Sequence, residues 1–311
     1  MAKNIKNDIK ISIIIVTWNS QDYIEDCLNS IYKNSFKDFE IIVIDNFSAD
    51  LTVHLLREKY PDIKLIQSDN IGFGAACNLG FHYSKGKYVF FLNPDTEVKL
   101  DCLKNIYDFL ENNDAHIVGA KLLWPDGRYQ DSYKRFFGPF ASWLELFEVH
   151  YYFPNNYVNR EINYDFEIFD KPAEVDWVIG AAFAVRREIF TLVNGFDEDF
   201  FMYFEEIDLC RRVRKLGGKI YFLPSCEVIH KKGKSSVMSN VRSVEYFKSL
   251  YLYHLKHSSL ISAFFIRISI ALMCFIYLFV LFIKFVFFKQ KAAIKKKIKD
   301  KIILFRWSIG L

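Results

Sequence analysis

The sequence predicts an α/β fold with a mainly parallel, doubly wound sheet, and two observations lead to this class. Apolar, β-branched segments alternate with segments of helical spacing through the first half of the chain. Polar side chains follow directly after four of these apolar segments, as they do where parallel strands end at a ligand-binding edge. With 311 residues, 51% of them hydrophobic, the chain can build substantial cores, and wholesale disorder is excluded.

The strands and helices of the first half follow from this pattern. Ile11–Val16 is a continuous apolar run, typical of a strand buried on both faces. The further strands expected are Glu40–Ile44, Lys64–Ile66, Tyr88–Leu92 and Ile117–Lys121. The helices expected between them are Gln21–Asn34, Ala49–Lys59, Phe73–Ser84 and Leu100–Asn112. This alternation of strands and helices implies a mainly parallel sheet whose crossovers are right-handed.

The second half is less regular. From Trp124 to Lys171 it is rich in aromatic residues, with one helix expected at Ser142–Tyr152. Val175–Val185 is expected as a strand interrupted at Gly180-Ala181-Ala182. The remaining elements expected are helices at Arg187–Val193 and Glu205–Leu216 and short strands at Lys219–Leu223 and Glu227–His230.

Four predicted strands end in hydrogen-bonding or carboxylate side chains. These ends are Thr17-Trp18-Asn19, Asp45-Asn46-Phe47-Ser48, Asp69-Asn70 and Asn93-Pro94-Asp95. One such end is an ordinary turn, in which Ser48 or Asp50 would only cap a helix. Four ends on one edge predict a binding site for a polar ligand, to which Gly72-Phe73-Gly74 at a helix start adds backbone amides.

Four acidic residues and a histidine are the candidates for catalysis and metal binding. Asp95 closes the fourth strand, and His230 ends a late strand; together they would suit a divalent cation, although a lone histidine is usually structural. Glu205 and Glu206 open a helix and would suit a general base, although acids there also stabilise a helix without any function. Asp208 lies one turn before Arg211 and Arg212, so we expect it to pair with one of them.

The charge is concentrated at the C-terminal end. From Lys284 onward nine lysines or arginines face one acid, which gives this tail +8 and leaves the rest of the chain at −4. A basic tail on a mildly acidic body indicates a local anionic partner and argues against nucleic acid along the whole surface. The six cysteines form no C-x-x-C pair and are expected as buried free thiols in a reducing cytosol; the polar N-terminus predicts no signal peptide.

An apolar segment precedes this tail. Ile268–Ile283 has no charge, and extended through Phe288 the segment approaches the ~20 residues that cross a bilayer core. A buried core helix is the alternative, but the basic amphipathic stretch that follows favours contact with an anionic membrane. If the segment spanned alone, the basic tail would prefer the cytoplasm and leave the body outside. We therefore prefer a re-entrant or in-plane arrangement.

Seven strings resemble family 2 glycosyltransferases, and most of all the bacterial rhamnosyltransferase-like branch. The strings are SIIIVTWNS, IIVIDNFSAD, DNIGFGAACNLG, FFLNPDTEV, VDWVIGAAFAVRREIF, GFDEDFFMYFEEIDLCRR and VIHKKGKS. The resemblance covers roughly residues 10–236 in the family's order. It implies a GT-A fold, an inverting mechanism and Mg²⁺ or Mn²⁺. It also implies a nucleotide-sugar-binding half (1–122), an acceptor-binding and catalytic half (123–240) and a membrane-associating helical region (241–311).

Carried over residue by residue, the resemblance assigns a role to each candidate. Asn93-Pro94-Asp95 resembles the D-x-D signature with Asn first, so that Asp95, with His230, would hold the metal. Glu206, or else Glu205, would be the catalytic base, with Asp208 as an orienting partner. The nucleotide-sugar site would comprise Thr17, Asn19, Asp45, Asn46, Ser48, Asn70, Gly72, Asn78 and Asn93. Trp177, Gly180 and Ala181 would lie where the donor or acceptor sugar is approached.

The expected function is transfer of a sugar, from dTDP-rhamnose or a UDP-hexose, to a lipid-linked saccharide or cell-surface polysaccharide at the cytoplasmic face of the inner membrane. Three alternative functions agree less well with the sequence. A nicotinamide-dinucleotide enzyme would use Gly72-x-Gly74, but Cys77 stands at the third glycine position. A processive polysaccharide synthase would need Q-x-x-R-W, and Ile303 stands at the Gln position before Arg306-Trp307. A degenerate membrane scaffold is disfavoured because Asp95 and both glutamates are present.

Overall fold

A computed structural model describes residues 9–147, 170–231, 244–287 and 291–310, without the side chains of 286–297 and 300. The chain forms two compact units. We call the first the sheet unit; it comprises Met1–Lys134, Glu167–Phe201 and Glu205–Val237. The second, the helical unit, comprises Arg135–Phe166, Met202–Phe204 and Met238–Leu311. The division into two halves and a C-terminal region, with boundaries at residues 122 and 240, stays a prediction.

The sheet unit is built on a large mixed sheet in the order β3-β2-β1-β4-β11-β6-β12-β5. Its strands are β1 (Ile11–Thr17), β2 (Phe39–Asn46), β3 (Lys64–Ser68), β4 (Tyr88–Leu92), β5 (Thr96–Val98), β6 (Ile117–Leu123), β7 (Tyr129–Gln130), β9 (Ala173–Glu174), β11 (Ala182–Arg186) and β12 (Ile220–His230). β7 pairs with β6, and β9 with β12. A separate ribbon joins β8 (Tyr133–Lys134) to β10 (Trp177–Val178).

The predicted α/β class with a mainly parallel sheet is confirmed. β1 pairs in parallel with β2 and β4, and β2 with β3. β6 and β12 are parallel as well, and β11 enters between β4 and β6 in the opposite direction. The helices of this unit are α1 (Ile24–Tyr32), α2 (Thr52–Lys59), α3 (Phe73–His82), α4 (Cys102–Asn112), α6 (Arg187–Leu192) and α7 (Glu205–Lys215).

Two predicted strand segments differ from the structure. Val175–Val185 divides into β9, β10 and β11, because Trp177–Val178 leaves the large sheet to pair with β8. The two short strands expected at 219–230 form one strand, β12, whose register shifts between Leu223 and Glu227. Pro224 lies in that shift, where a missing amide disturbs the ladder least.

The core begins with β1, where every residue from Ile11 to Thr17 is buried, as the continuous apolar run predicted. Cysteines are buried in both units. Cys27, Cys77, Cys210 and Cys274 are buried free thiols as expected. The expectation was wrong for Cys102 and Cys226, which form a disulfide between α4 and β12. These residues are 124 positions apart, so only the packing of α4 on β12 reveals the pair.

The helical unit contains α5 (Pro139–Leu146), α8 (Val244–His257), α9 (Leu260–Phe287) and α10 (Lys291–Ile309). Residues 148–152 of the helix expected at Ser142–Tyr152 lie outside the described residues, as does Phe288. Within the described residues, α9 has the length and composition to cross a membrane.

Candidate active site

The ends of β1 and β2 bring together one group of predicted site residues. Thr17 lies beside Asp45 in the parallel register. The Thr17 hydroxyl donates to Asp45 Oδ1 (3.1 Å), and the Ser48 amide donates to Asp45 Oδ2 (3.1 Å). Asn19, with a left-handed backbone (φ 51°), receives the Ala49 amide on its Oδ1 and donates its own amide to Ser48 Oγ. The buried carboxylate of Asp45 is thereby fixed in one orientation.

The end of β3 is tied to the same edge. Asn46 Nδ2 donates to Asn70 Oδ1 (3.0 Å), and Asn46 Oδ1 accepts the Ile71 amide (3.0 Å). Gly72 has φ +90°, and a Cβ there would lie 2.5 Å from the Phe201 carbonyl oxygen. The next amide, that of Phe73, donates to this carbonyl (2.9 Å), so it does not face a ligand as proposed from the sequence. A close backbone approach therefore explains this glycine.

Two aromatic residues at this edge were missed by the sequence reasoning. Trp18 and Phe47 are half or more exposed, although each follows directly after a buried strand. Phe47 also has φ 71°, a conformation rare for a bulky residue and often found at functional sites. Their sequence signature was an aromatic residue placed between polar turn residues. They leave flat apolar surfaces beside the Thr17–Asp45 hydrogen bonds.

Asp95 and His230, predicted from positions 135 residues apart, lie together. β5 pairs antiparallel with β12, and this register places Thr96 beside His230. His230 Nε2 is 3.6 Å from Asp95 Oδ1, and both side chains are largely buried. The Lys231 amide donates to the Asp95 carbonyl oxygen (2.9 Å), which fixes the loop before β5. The described residues contain no group of three or more His, Cys, Asp or Glu placed to hold a metal ion.

The loop at Asn93 is connected to the region around Gly180 and Glu206. The Asn93 amide donates to the Ala181 carbonyl oxygen (2.9 Å), which joins the end of β4 to the start of β11. The neighbouring Gly180 lies against Glu206, since a Cβ at Gly180 would be 3.5 Å from Glu206 Cδ and Oε1. The glycine therefore leaves space directly beside the Glu206 carboxyl group. Trp177 is buried in β10.

Glu205 and Glu206 open α7 but point to different surroundings. Glu205 is buried against α3: a Cβ atom added at Gly74 of that helix would lie 3.6 Å from the Glu205 Cβ. Burial, with the neighbouring Glu206 charge, raises the pKa of Glu205 well above its ordinary value. Burial also raises the pKa of Glu206, while backbone amides, including that of Gly180, oppose the rise. In each residue Oε2 is buried without a hydrogen-bond partner among the described residues.

Asp208 has a different environment. It is buried and pairs with Arg212, as expected from their spacing, through Nε (2.7 Å) and Nη2 (2.6 Å). Arg212 also donates to the carbonyl oxygens of Val193 and Gly195, so this ion pair anchors α7 to the preceding loop. Asn78 holds the same loop from α3, because its amide group bonds both the nitrogen and the oxygen of Phe196.

The mixed, mostly parallel sheet with polar strand ends, a carboxylate–histidine pair and a glutamate beside a glycine is an α/β fold of the GT-A type. Solved structures with this fold include TarS residues 1–349 of S. aureus in complex with UDP-GlcNAc (TM-score 0.57, 18% identity, 97% of this chain and 80% of that one). GalNAc-T7 with UDP, GalNAc and Mn²⁺ is also similar (TM-score 0.56, 15% identity, 80% of this chain and 48% of that one). The chain covers 44% of whole TarS.

The family model described as glycosyl transferase family 2 matches residues 12–192, and the chain belongs to this family. It is 27% identical over 252 residues to the rhamnosyltransferase WbbL of Escherichia coli, covering 78% of this chain and 89% of WbbL. It is 26% identical over 237 residues to the N-acetylglucosaminyl-diphospho-decaprenol L-rhamnosyltransferase of Mycobacterium tuberculosis, covering 72% of this chain and 76% of that enzyme. The resemblance seen in the sequence is confirmed.

Proposed function

We propose that this glycosyltransferase is metal-dependent and inverting, and that it transfers a sugar to a lipid-linked saccharide or cell-surface polysaccharide. The observation that carries the proposal is one line of contacts. It runs from the Asp95–His230 pair through Asn93 and Ala181 to Gly180 and Glu206. A cation-binding pair and a carboxylate base are the two groups that displacement of a nucleoside diphosphate requires.

Asp95 and His230 would hold the divalent cation. The carboxylate oxygen and the imidazole nitrogen face each other at 3.6 Å, and both are atoms that ligate Mg²⁺ or Mn²⁺. Two protein ligands suffice where substrate phosphate oxygens supply others, as is usual for these cations. When bound, the cation neutralises charge on the departing diphosphate. The fixed backbone at Lys231 keeps Asp95 in place for this role.

Glu206 is the base that we assign. It lies beside the space left by Gly180, whereas Glu205 is buried against α3. The Glu206 carboxylate would take the proton of the acceptor hydroxyl while the oxygen of that hydroxyl attacks the anomeric carbon. Attack opposite the leaving diphosphate inverts the configuration at that carbon. A raised pKa strengthens Glu206 as a base, provided that it is still ionised at the working pH.

The nucleoside would lie at the ends of β1 and β2. The exposed rings of Trp18 and Phe47 would stack on the base. Asp45 and its neighbours Thr17, Asn19 and Ser48 would offer hydrogen bonds to base and ribose. We propose dTDP-rhamnose as the donor because two relatives are named as rhamnosyltransferases; a UDP-hexose is the alternative, since TarS was solved with UDP-GlcNAc.

We further propose that the helical unit associates in-plane with an anionic membrane at the cytoplasmic face. The exposed residues of α9 are a broad apolar surface: Leu260, Ile261, Phe264, Phe265, Ile268, Leu272, Phe275, Ile276, Phe279, Val280, Phe282 and Ile283. The buried ones form a single stripe at helical spacing: Ala263, Ile266, Ile270, Cys274 and Leu281. Such a surface fits lipid, and the lysines of α10 fit anionic headgroups.

The pairing of α9 with α10 argues against a span. Arg267 donates to the carbonyl oxygens of Trp307 and Ser308, while Lys301 lies over the ring of Tyr277. Residues further along α9 therefore contact residues nearer the start of α10, so the two helices are antiparallel. If α9 spanned, Lys301 and the exposed Lys299 would lie within the hydrocarbon, which is costly. An in-plane position leaves both near headgroups.

The test of the enzymatic proposal is a binding and hydrolysis screen of purified protein with Mn²⁺ or Mg²⁺. The ligands are dTDP-rhamnose, UDP-glucose, UDP-N-acetylglucosamine and NADH. We expect one sugar nucleotide to bind in a metal-dependent manner and Asp95→Ala to weaken this binding at least 10-fold. Asp126→Ala, at an exposed ion pair with Arg128, is the matched control and should bind normally. Binding of NADH alone, or of no sugar nucleotide, would refute the proposal.

A further inference from the structure

We propose that Gln130 is a positioning residue that holds His230 in the tautomer protonated at Nδ1, so that its Nε2 presents a lone pair to the Asp95 side. The assignment of His230 to a metal site rests on the proposed function; the tautomer itself rests only on the contacts of Gln130. Gln130 lies in β7, 100 residues before His230, and no sequence pattern pointed to it.

Two hydrogen bonds join the Gln130 amide to His230. Gln130 Nε2 donates to the His230 carbonyl oxygen (3.3 Å), and Gln130 Oε1 is 2.6 Å from His230 Nδ1. Both residues are buried. The two contacts together fix which end of the amide is which. A flipped amide would set its oxygen against the His230 carbonyl oxygen, two acceptors without a proton between them.

The orientation of the amide decides the tautomer. Because Gln130 Oε1 can only accept, His230 Nδ1 must carry the hydrogen of this bond. In a neutral imidazole the other nitrogen, Nε2, is then an acceptor. That nitrogen is the atom 3.6 Å from Asp95 Oδ1, too far for a good hydrogen bond. Two electron-pair donors therefore face each other, which is the arrangement that a shared cation satisfies.

The backbone holds Gln130 rigidly enough for this role. Gln130 is paired with Leu122 across β6 and β7. Ser132 Oγ donates to the Gln130 carbonyl oxygen (2.7 Å) and accepts the Leu122 amide (2.8 Å). β6 in turn pairs in parallel with β12, which ends at His230. The orienting amide and the histidine are thus fixed on connected strands, as a supporting group for a ligand must be.

The first experiment reads the tautomer directly. Protein with ¹⁵N-labelled histidine is studied without metal at about pH 8. His230→Gln identifies the signals of His230. We expect wild-type protein to show a protonated Nδ1 and an unprotonated Nε2. In Gln130→Met, of similar size but without an acceptor, this preference should be lost. In Gln130→Glu the preference should be retained, because a carboxylate oxygen still accepts from Nδ1, although the bond to the His230 carbonyl oxygen is lost.

The second experiment measures Mn²⁺ affinity by calorimetry on the same proteins. We expect Gln130→Met to weaken binding 10- to 100-fold, as for loss of a group that orients a metal-bound histidine, and Gln130→Glu to restore it within a few-fold. Gln67→Met, the same substitution at an exposed position of β3, should leave affinity and tautomer unchanged. Thermal melts identify any variant that fails to fold.

A wild-type His230 protonated at Nε2 would overturn the proposal, and so would a Gln130→Met variant that keeps both the tautomer and the Mn²⁺ affinity. A failure of the proposed metal site can be distinguished from a failure of the proposed role of Gln130. If Asp95→Ala binds Mn²⁺ as wild type does, the metal site is wrong, while the tautomer measurement still decides the role of Gln130.

Discussion

The sheet unit and the helical unit depart from the ordinary globular pattern in opposite ways. The sheet unit buries ionisable side chains, among them Asp45, Asp95, Glu205, Asp208 and His230. The helical unit leaves most of the apolar side chains of α9 exposed. Buried charge costs free energy unless it is paired, and exposed apolar surface forfeits the hydrophobic stabilisation of burial. We infer that each unit is complete only with something other than polypeptide, a charged ligand in one and lipid in the other.

Within the sheet unit the buried carboxyl groups are not equivalent. Asp208 is compensated by an ion pair with Arg212, whose Nε donates a hydrogen bond to Asp208 Oδ2. Glu206 and Glu205 keep a buried oxygen without a hydrogen-bond partner among the described residues. Removing one partner of a buried ion pair destabilises a fold, whereas carboxyl groups with perturbed pKa values cluster at functional sites. Substitutions at these positions should therefore separate into losses of activity and losses of stability.

The largest effect is expected for the proposed base. Glu206→Gln should lower turnover by about 10²- to 10⁴-fold and leave donor binding unchanged, because the amide keeps the shape but cannot take a proton. Wild-type activity should fall as the pH falls through the Glu206 pKa, which lies above the ordinary carboxyl value. The measurement is the pH profile of kcat/KM. Full activity of Glu206→Gln, with loss in Glu205→Gln, would move the base to Glu205.

The next effect is on stability. Asp208→Ala should lower the free energy of unfolding by about 3–5 kcal/mol, because it leaves the Arg212 guanidinium partly buried without its carboxylate. Urea unfolding measures this change. Asp126→Ala removes an exposed ion pair and should cost less than about 1 kcal/mol. Equal costs for the two variants would mean that burial does not distinguish the two pairs.

The apolar surface of α9 gives the third effect, on membrane binding. Phe275→Ser with Phe279→Ser removes two exposed rings, each worth roughly 2 kcal/mol when buried in lipid. We expect flotation with vesicles containing anionic lipid to weaken at least 10-fold, with unchanged thermal melting. Leu192→Ser, at an exposed leucine of the sheet unit, is the control. Adding protease to one side of sealed vesicles tests the orientation of the helices. If α10 is cleaved only from the side of the membrane opposite to the sheet unit, α9 spans the membrane.

The same comparison explains what the sequence could predict. Strands β1 and β4 and the polar ends after them follow from local patterns, since a buried parallel strand is a continuous apolar run. Asp95 and His230 could be proposed as partners from their residue types at strand ends, and the family resemblance added the metal role, but their distance follows only from the β5–β12 pairing. Gln130 and the Cys102–Cys226 pair were missed, because their partners are 100 and 124 residues away and only strand and helix packing brings them together.

The smallest effect should come from Glu205, and its sign is the opposite of that for Asp208. Burial raises the pKa of Glu205 in the folded protein above its value in the unfolded chain. Its contribution to stability is therefore complete below the unfolded pKa and is lost as the pH rises toward the folded pKa. Glu205→Gln stays neutral throughout, so its Tm should match wild type near pH 4 and exceed it increasingly toward neutral pH.

Since 1 kcal/mol moves Tm by only about 2–4 °C in a domain of this size, calorimetry across the pH range is required. Glu188→Gln, at an exposed position of α6, should follow wild type in parallel. If Glu205→Gln also ran parallel to wild type, burial would not raise the pKa of Glu205 in the folded protein.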